Sequence, residues 1–124
     1  MGRAWWWVLA WAAVIEWLVL WPSPPQVSEP FSFIGLDKLV HGGMFAVQAM
    51  LAVVALRRDG RARWSAVAIA AVGVAAFGAL TEVEQHFVPT RSMEFGDFVA
   101  DALGAMGGAL ALALWAPRRR ELDR

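Results

Sequence analysis

The apolar residues of this chain fall into four long blocks separated by polar segments. Each block has 18 or 19 residues, close to the length that an α-helix needs to cross the hydrocarbon core of a membrane. None of the blocks has the continuous polar face that a surface helix of a soluble protein shows. The blocks are Ala4–Trp21, Leu39–Leu56, Trp64–Thr81 and Phe98–Ala116.

This pattern predicts an all-α protein, an integral membrane four-helix bundle that forms a single domain over residues 1–124. With flanking polar turns included, the helices are predicted at about 4–21, 38–56, 64–87 and 97–116. The first block could instead be a cleaved signal peptide, but Glu16 lies inside it and no small-residue cleavage site follows. The chain has no cysteine, so neither a disulfide nor a thiolate metal site is available.

The charges predict how the bundle is oriented. Because nine of the eleven basic residues fall on one side of the predicted helices, the positive-inside rule places the N-terminus and the C-terminus in the cytoplasm. Eight of the eleven acidic residues fall on the other side or in the outer half of a helix. The formal net charge of zero therefore hides a molecule with a basic inner end and an acidic outer end.

Four ionisable residues, one on each helix, are predicted at similar depths, about 6 to 10 Å below the outer helix ends. They are Glu16, His41, Glu82 and Asp101. A charged side chain facing lipid costs several kcal/mol at mid-bilayer, so we expect these groups to turn inward into one shared pocket. Gln48, deeper in the second helix, is expected to form an interhelical hydrogen bond.

Pairs of polar residues at helical spacing favour the same pocket. Residues three or four apart share a helix face, as Asp37 and His41 do, and likewise Asp97 and Asp101. His41, Glu82 and Asp101 are the candidate catalytic or core residues, and the candidate ligand-binding residues around them are Asp37, Lys38, Gln85, Arg91 and Asp97. The candidate metal ligands are His41, Glu82, His86, Asp97 and Asp101.

Simpler roles remain open for several of these side chains. Asp37 and Asp97 could only cap their helices, and the core residues could form a buried structural network. Glu16 could only pair with a neighbouring helix, and Glu84 and Glu94 are expected to be solvated.

Three segments together resemble the VanZ-like family of bacterial membrane proteins. They are DKLVHGGMF at 37–45, TEVEQHFVPTR at 81–91 and DFVADALGAMGG at 97–108. The family pattern reads Asp-Lys-x-x-His, then Glu-x-x-Gln with a nearby Arg, then Asp-x-x-x-Asn-x-x-Gly-x-x-x-Gly. Asp101 stands where that pattern has asparagine, which adds a negative charge to the site. The resemblance implies a multi-pass protein of a bacterial plasma membrane, in a family named for association with teicoplanin resistance.

Three classes of function follow as hypotheses. The first is a non-enzymatic protein whose outward pocket binds a membrane lipid, a lipid-linked cell-envelope precursor or a lipoglycopeptide antibiotic. The second is a metal-assisted membrane enzyme that acts on an outer-leaflet lipid or peptidoglycan precursor, since Asp, Glu and His side chains suit a divalent ion. The third is ion or proton transport. Nucleic-acid binding is not expected, because the basic residues lie at membrane ends and serve topology.

Overall fold

The computed structural model describes residues 2–21, 34–89 and 95–115, and of residues 34–37 it describes only the backbone. Every regular element in this part of the chain is an α-helix, so the all-α, four-helix prediction is confirmed. All four helices are long and apolar enough to cross a membrane. They are α1 (Arg3–Leu20), α2 (Ile34–Arg58), α3 (Arg63–His86) and α4 (Phe95–Trp115).

The link between α2 and α3 is a tight helix-terminating turn. The N–H of Gly60 donates to the Arg57 carbonyl and the N–H of Arg61 donates to the Leu56 carbonyl, both at 3.0 Å. This pair of bonds is the Schellman motif, which requires left-handed backbone at the residue after the helix. Gly60 has φ 92°, and glycine adopts that conformation without the steric penalty of a Cβ atom. The turn therefore sends α3 back antiparallel to α2.

The closest helix contact is between α2 and α4. A Cβ atom added at Gly104 would lie 2.8 Å from the Cα of Gly42, and one added at Gly108 would lie 2.7 Å from the Cα of Ala46. Only a hydrogen at these two positions lets the backbones approach so closely. The four-residue spacing of small residues thus brings two polar-bearing helices into direct backbone contact.

The first helix is attached by buried apolar side chains and by hydrogen bonds from long side chains. Trp11 Nε1 donates to the Met44 carbonyl at 2.9 Å. Gln48 Nε2 donates to the Val8 carbonyl at 3.1 Å, which confirms the interhelical bond expected of this glutamine. Gln85 Nε2 donates to the Val19 carbonyl at 3.0 Å. These bonds connect the N-terminal half of α1 to α2 and its C-terminal end to α3.

The apolar core fills the space between the helices on one side of the polar cluster described below. Phe45 of α2 is fully buried and its ring lies 5.7 Å from that of Phe77 on α3. Small side chains of α4 complete the core, among them Ala105 and Ala109. The core therefore lies between the polar cluster and the α2–α3 turn.

Candidate functional site

Three helix ends meet at one end of the bundle and supply a buried polar cluster. The first turns of α2 bring Lys38 and His41, the last turns of α3 bring Glu82, and the first turns of α4 bring Asp97 and Asp101. The two aspartates, the glutamate and the histidine are each at most 6% exposed. Residues four apart on α4 and three apart on α2 share a helix face, which explains why α2 and α4 each present two residues of the cluster.

Two ion-pair contacts join α2 to α4 one turn apart. The Lys38 ammonium forms a salt bridge with the Asp97 carboxylate. One turn deeper, His41 Nδ1 lies 3.1 Å from Asp101 Oδ1. Removing Lys38 or His41 would leave a buried carboxylate without its partner, which is costly in a low-dielectric setting. The pairs therefore fix the relative position of α2 and α4 as well as the geometry of the cluster.

Gly78 on α3 makes room for Asp101. A Cβ atom at this position would lie 2.9 Å from the Cβ of Asp101 and 3.2 Å from its Oδ2. The neighbouring Thr81 hydroxyl donates to the Gly78 carbonyl at 2.7 Å, so it is committed to its own helix. The fully buried position of Asp101 thus depends on a glycine of the facing helix.

Three side chains of the cluster converge closely enough to hold one ion. His41, Glu82 and Asp97 each offer a nitrogen or oxygen ligand atom, and these atoms all lie within 4.8 Å of one another. All three residues are buried. An imidazole with two carboxylates is a donor set that divalent transition metals accept, and the same carboxylates can also accept hydrogen bonds from hydroxyl or amine groups.

The other candidate residues have different positions. Gln85 is buried, one turn beyond Glu82, and its amide joins α3 to α1. His86 is exposed, so it does not converge with the buried ligands. The Asp37 side chain and Arg91 lie outside the described residues.

One pairing differs from what the sequence led us to expect. Glu16 was predicted to share a pocket with the ionisable residues of the other three helices. Its side chain lies close to that of Glu84 on α3, a residue that was expected to be solvated. Gly78 was not singled out from the sequence, although it lies four residues before Glu82 and therefore on the same helix face.

A second feature is an apolar groove of about 220 Å³ between α1, α2 and α3. Its lining includes Trp5, Val8, Leu56 and Ile69, so it lies toward the α2–α3 turn and away from the polar cluster. The groove is smaller than the roughly 300–1,000 Å³ of sites for drug-sized ligands. It can therefore take a slender apolar chain but not a bulky head group.

Comparisons with known protein families, with curated proteins and with solved structures found no match. The resemblance to the VanZ-like family therefore stays a prediction.

Proposed function

We propose that this chain is a VanZ-like multi-pass protein of a bacterial plasma membrane, and that its polar cluster binds the head group of a lipid-linked cell-envelope precursor or a related membrane lipid. One observation carries the proposal: a buried, charged cluster lies at one end of four helices of membrane-spanning length. Ionisable groups inside membrane bundles are costly to bury and usually serve a ligand or a transported ion.

The charge distribution supports an outward-facing site. The end of the bundle opposite the cluster contains Arg3, Arg57, Arg58, Arg61 and Arg63. Trp5, near the N-terminus, donates to Asp59 in the α2–α3 turn at 2.7 Å, so these two segments belong to the same end. By the positive-inside rule that end faces the cytoplasm, which places both termini inside and the cluster at the outer leaflet.

The chemistry of the cluster and its surroundings suits an amphiphilic ligand. Carboxylates accept hydrogen bonds from the hydroxyl and amine groups of a sugar or peptide head, and the Lys38 ammonium can contact a phosphate. Exposed apolar side chains at the same end of the bundle as the cluster, among them Leu39, Val40 and Val99, can contact an acyl or isoprenoid chain. A lipid-tailed glycopeptide antibiotic has the same two chemical parts, so its capture would contribute to glycopeptide resistance.

The test is native mass spectrometry of the protein released from its own membrane in mild detergent. We expect a co-purifying lipid of defined mass on the unmodified protein and its loss from Glu82→Gln, which keeps side-chain volume but removes the charge. Leu80→Ala is the matched control, because Leu80 lies on the same helix and is largely exposed. Equal lipid retention by all three proteins would contradict the proposal.

A separate measurement addresses the antibiotic. Deleting the gene from its native host should lower the inhibitory concentration of teicoplanin, and restoring the gene with Glu82→Gln should not rescue it. Unchanged susceptibility after deletion would limit the function to endogenous lipids.

The convergence of His41, Glu82 and Asp97 favours a second candidate, a metal-assisted enzyme that acts on the same lipids. A metal polarises a phosphoryl oxygen and lowers the pKa of bound water, which is the chemistry that phosphate-ester hydrolysis needs. Release of inorganic phosphate from a lipid pyrophosphate, lost in Glu82→Gln, would establish the enzyme. Lipid that is bound and recovered intact favours the binding protein.

A further inference from the structure

We propose that His41, Glu82 and Asp97 bind one divalent metal ion of the zinc or manganese class, which presents an open coordination position to the outer face of the bundle. The metal site deepens the proposed function. The open position would receive a phosphate or carboxylate oxygen of the lipid head group, and only this role rests on the proposed function. Binding of the ion itself can be measured without any lipid.

The spacing of the ligand atoms fits a single ion. Zinc binds nitrogen and oxygen ligands at about 2.0–2.2 Å, so two ligand atoms of a tetrahedral site are about 3.4 Å apart. The three ligand atoms lie within 4.8 Å of one another. Side-chain rotations that move each atom by less than about 1 Å are therefore enough to close the site.

The charge of the cluster favours a cation. Glu82, Asp97 and Asp101 bring three buried carboxyl groups, and within the described residues the contacting cationic side chains are Lys38 and, when protonated, His41. Buried charges of one sign are strongly unfavourable in a low-dielectric setting. A divalent ion brings the cluster close to neutrality, whereas an additional water molecule would not.

Asp101 has the position of a residue that orients a metal-binding histidine. Its Oδ1 lies 3.1 Å from His41 Nδ1. A carboxylate that accepts a hydrogen bond from Nδ1–H keeps the proton on Nδ1 and leaves the Nε2 lone pair to bind the metal. We assign Asp101 as a positioning residue and not as a ligand. This assignment gives a physical meaning to the extra carboxylate at this position, because a carboxylate raises the basicity of the imidazole more than an amide does.

An amide oxygen on α3 provides an independent indication. Gln85 is 2% exposed, its Nε2 is used by the Val19 carbonyl, and its Oε1 accepts no hydrogen bond from the described residues. Gln85 lies three residues after Glu82 and so on the same face of α3. A buried amide oxygen requires a donor, and a water molecule bound to an adjacent metal ion would supply one.

The ligand set determines which metal ion is preferred. Calcium and magnesium prefer sites built entirely from oxygen, whereas imidazole nitrogen favours transition metals. Three protein ligands with one remaining position is the arrangement of catalytic and ligand-binding zinc sites. Hence we expect zinc and manganese to bind more tightly than calcium or magnesium.

The experiment uses the full chain, purified in mild detergent through a tag without histidine, stripped with a chelator and titrated with Zn²⁺ or Mn²⁺ alone. We expect one ion per chain by elemental analysis, and a loss of binding in Glu82→Gln and His41→Gln. Asp101→Asn should still bind, with an affinity about 10–100-fold lower. His86→Gln is the matched control, because it removes an exposed imidazole from α3, the helix that contains Glu82, and should leave binding unchanged.

Replacement of the metal by Co²⁺ tests whether Asp101 orients the His41 imidazole or only stabilises the fold. The visible absorption of bound Co²⁺ should change in Asp101→Asn, where the imidazole is held differently, and should be identical to wild type in His86→Gln. An unmodified protein that binds no more metal than Glu82→Gln does would overturn the metal site, whatever the folding state of the other variants.

Failure of the metal site and failure of the proposed function give different results. Lipid that co-purifies with the stripped protein, together with no metal uptake, overturns the metal site and leaves lipid binding intact. Metal uptake of one ion per chain, with no lipid recovered from the native membrane, supports the metal site and overturns the proposed lipid ligand.

Discussion

Replacing Gly104 with alanine should separate α2 from α4 and thereby disrupt the polar cluster. The added methyl group would overlap the Gly42 carbonyl and lie 2.8 Å from both the Cα and the carbonyl carbon of Gly42. Carbon atoms in contact prefer separations of about 3.5–4.0 Å. The two helices must therefore move apart by about 1 Å, because neither backbone atom can rotate away.

The expected cost follows from this displacement. Overpacking of a close contact by one methyl group typically destabilises a protein by about 1–3 kcal/mol. In addition, the contact between His41 and Asp101 lies within one turn of Gly42 and Gly104. Adding about 1 Å to its 3.1 Å separation gives about 4 Å, which is beyond the range of a hydrogen bond.

The assay is reversible unfolding in mixed detergent micelles, followed by helical circular dichroism, alongside a Zn²⁺ titration. Gly107→Ala is the matched control, because a Cβ atom at that position meets no atom within 4 Å. We expect Gly104→Ala to have a lower free energy of unfolding and weaker zinc binding, and Gly107→Ala to match or slightly exceed the wild type. Equal stability and equal zinc affinity of the two variants would refute the close approach of α2 and α4.

Three further predictions concern the rest of the fold. Trp11→Phe removes the hydrogen bond to the Met44 carbonyl and should weaken the docking of α1 by about 1 kcal/mol, measured as faster hydrogen exchange of α1 amides. Gly60→Ala should lower the free energy of unfolding by about 1–2 kcal/mol, because alanine disfavours the φ of 92° at this turn, and an unchanged denaturation midpoint would contradict this. Because the chain has no cysteine, single cysteines at Ala62 and Pro89 can test the orientation: a membrane-impermeant maleimide added to whole cells should label Pro89→Cys only, and the reverse pattern would invert the topology.

The sequence predicted the helices well because length and apolarity alone determine them. The observed helices begin and end within four residues of the predicted bounds, and the largest difference is at the start of α2. That helix begins at Ile34, four residues before the predicted position at 38. The prediction rested on the apolar block, which starts only at Leu39. A short helical extension adds no long apolar run and so leaves no signal in the pattern.

The composition of the cluster was also predictable, but its pairings were not. Spacing places two residues on one helix face, and this brought His41, Glu82 and Asp101 together as expected. Which residue faces which depends on the rotation of each helix about its axis, and that rotation is set by packing. Asp97 was predicted as a ligand-binding residue, a metal ligand or a helix cap, and it is buried beside Lys38 and among the converging ligands. The contact between Glu16 and Glu84 could not have been derived from spacing either.

The manner in which α1 is held has a consequence for how its sequence can change. Two of the hydrogen bonds that join the described part of α1 to α2 and α3 end on backbone carbonyls of α1, those of Val8 and Val19, and the donating amides belong to Gln48 and Gln85. A backbone carbonyl is present whichever residue occupies the position, so replacing either valine with another apolar residue leaves the acceptor in place. The side chains that donate these two hydrogen bonds to the first helix thus belong to the second and third helices. Apolar substitutions on the exposed face of α1 should be tolerated, provided that Trp11 and the buried Ile15 and Val19 keep their packing.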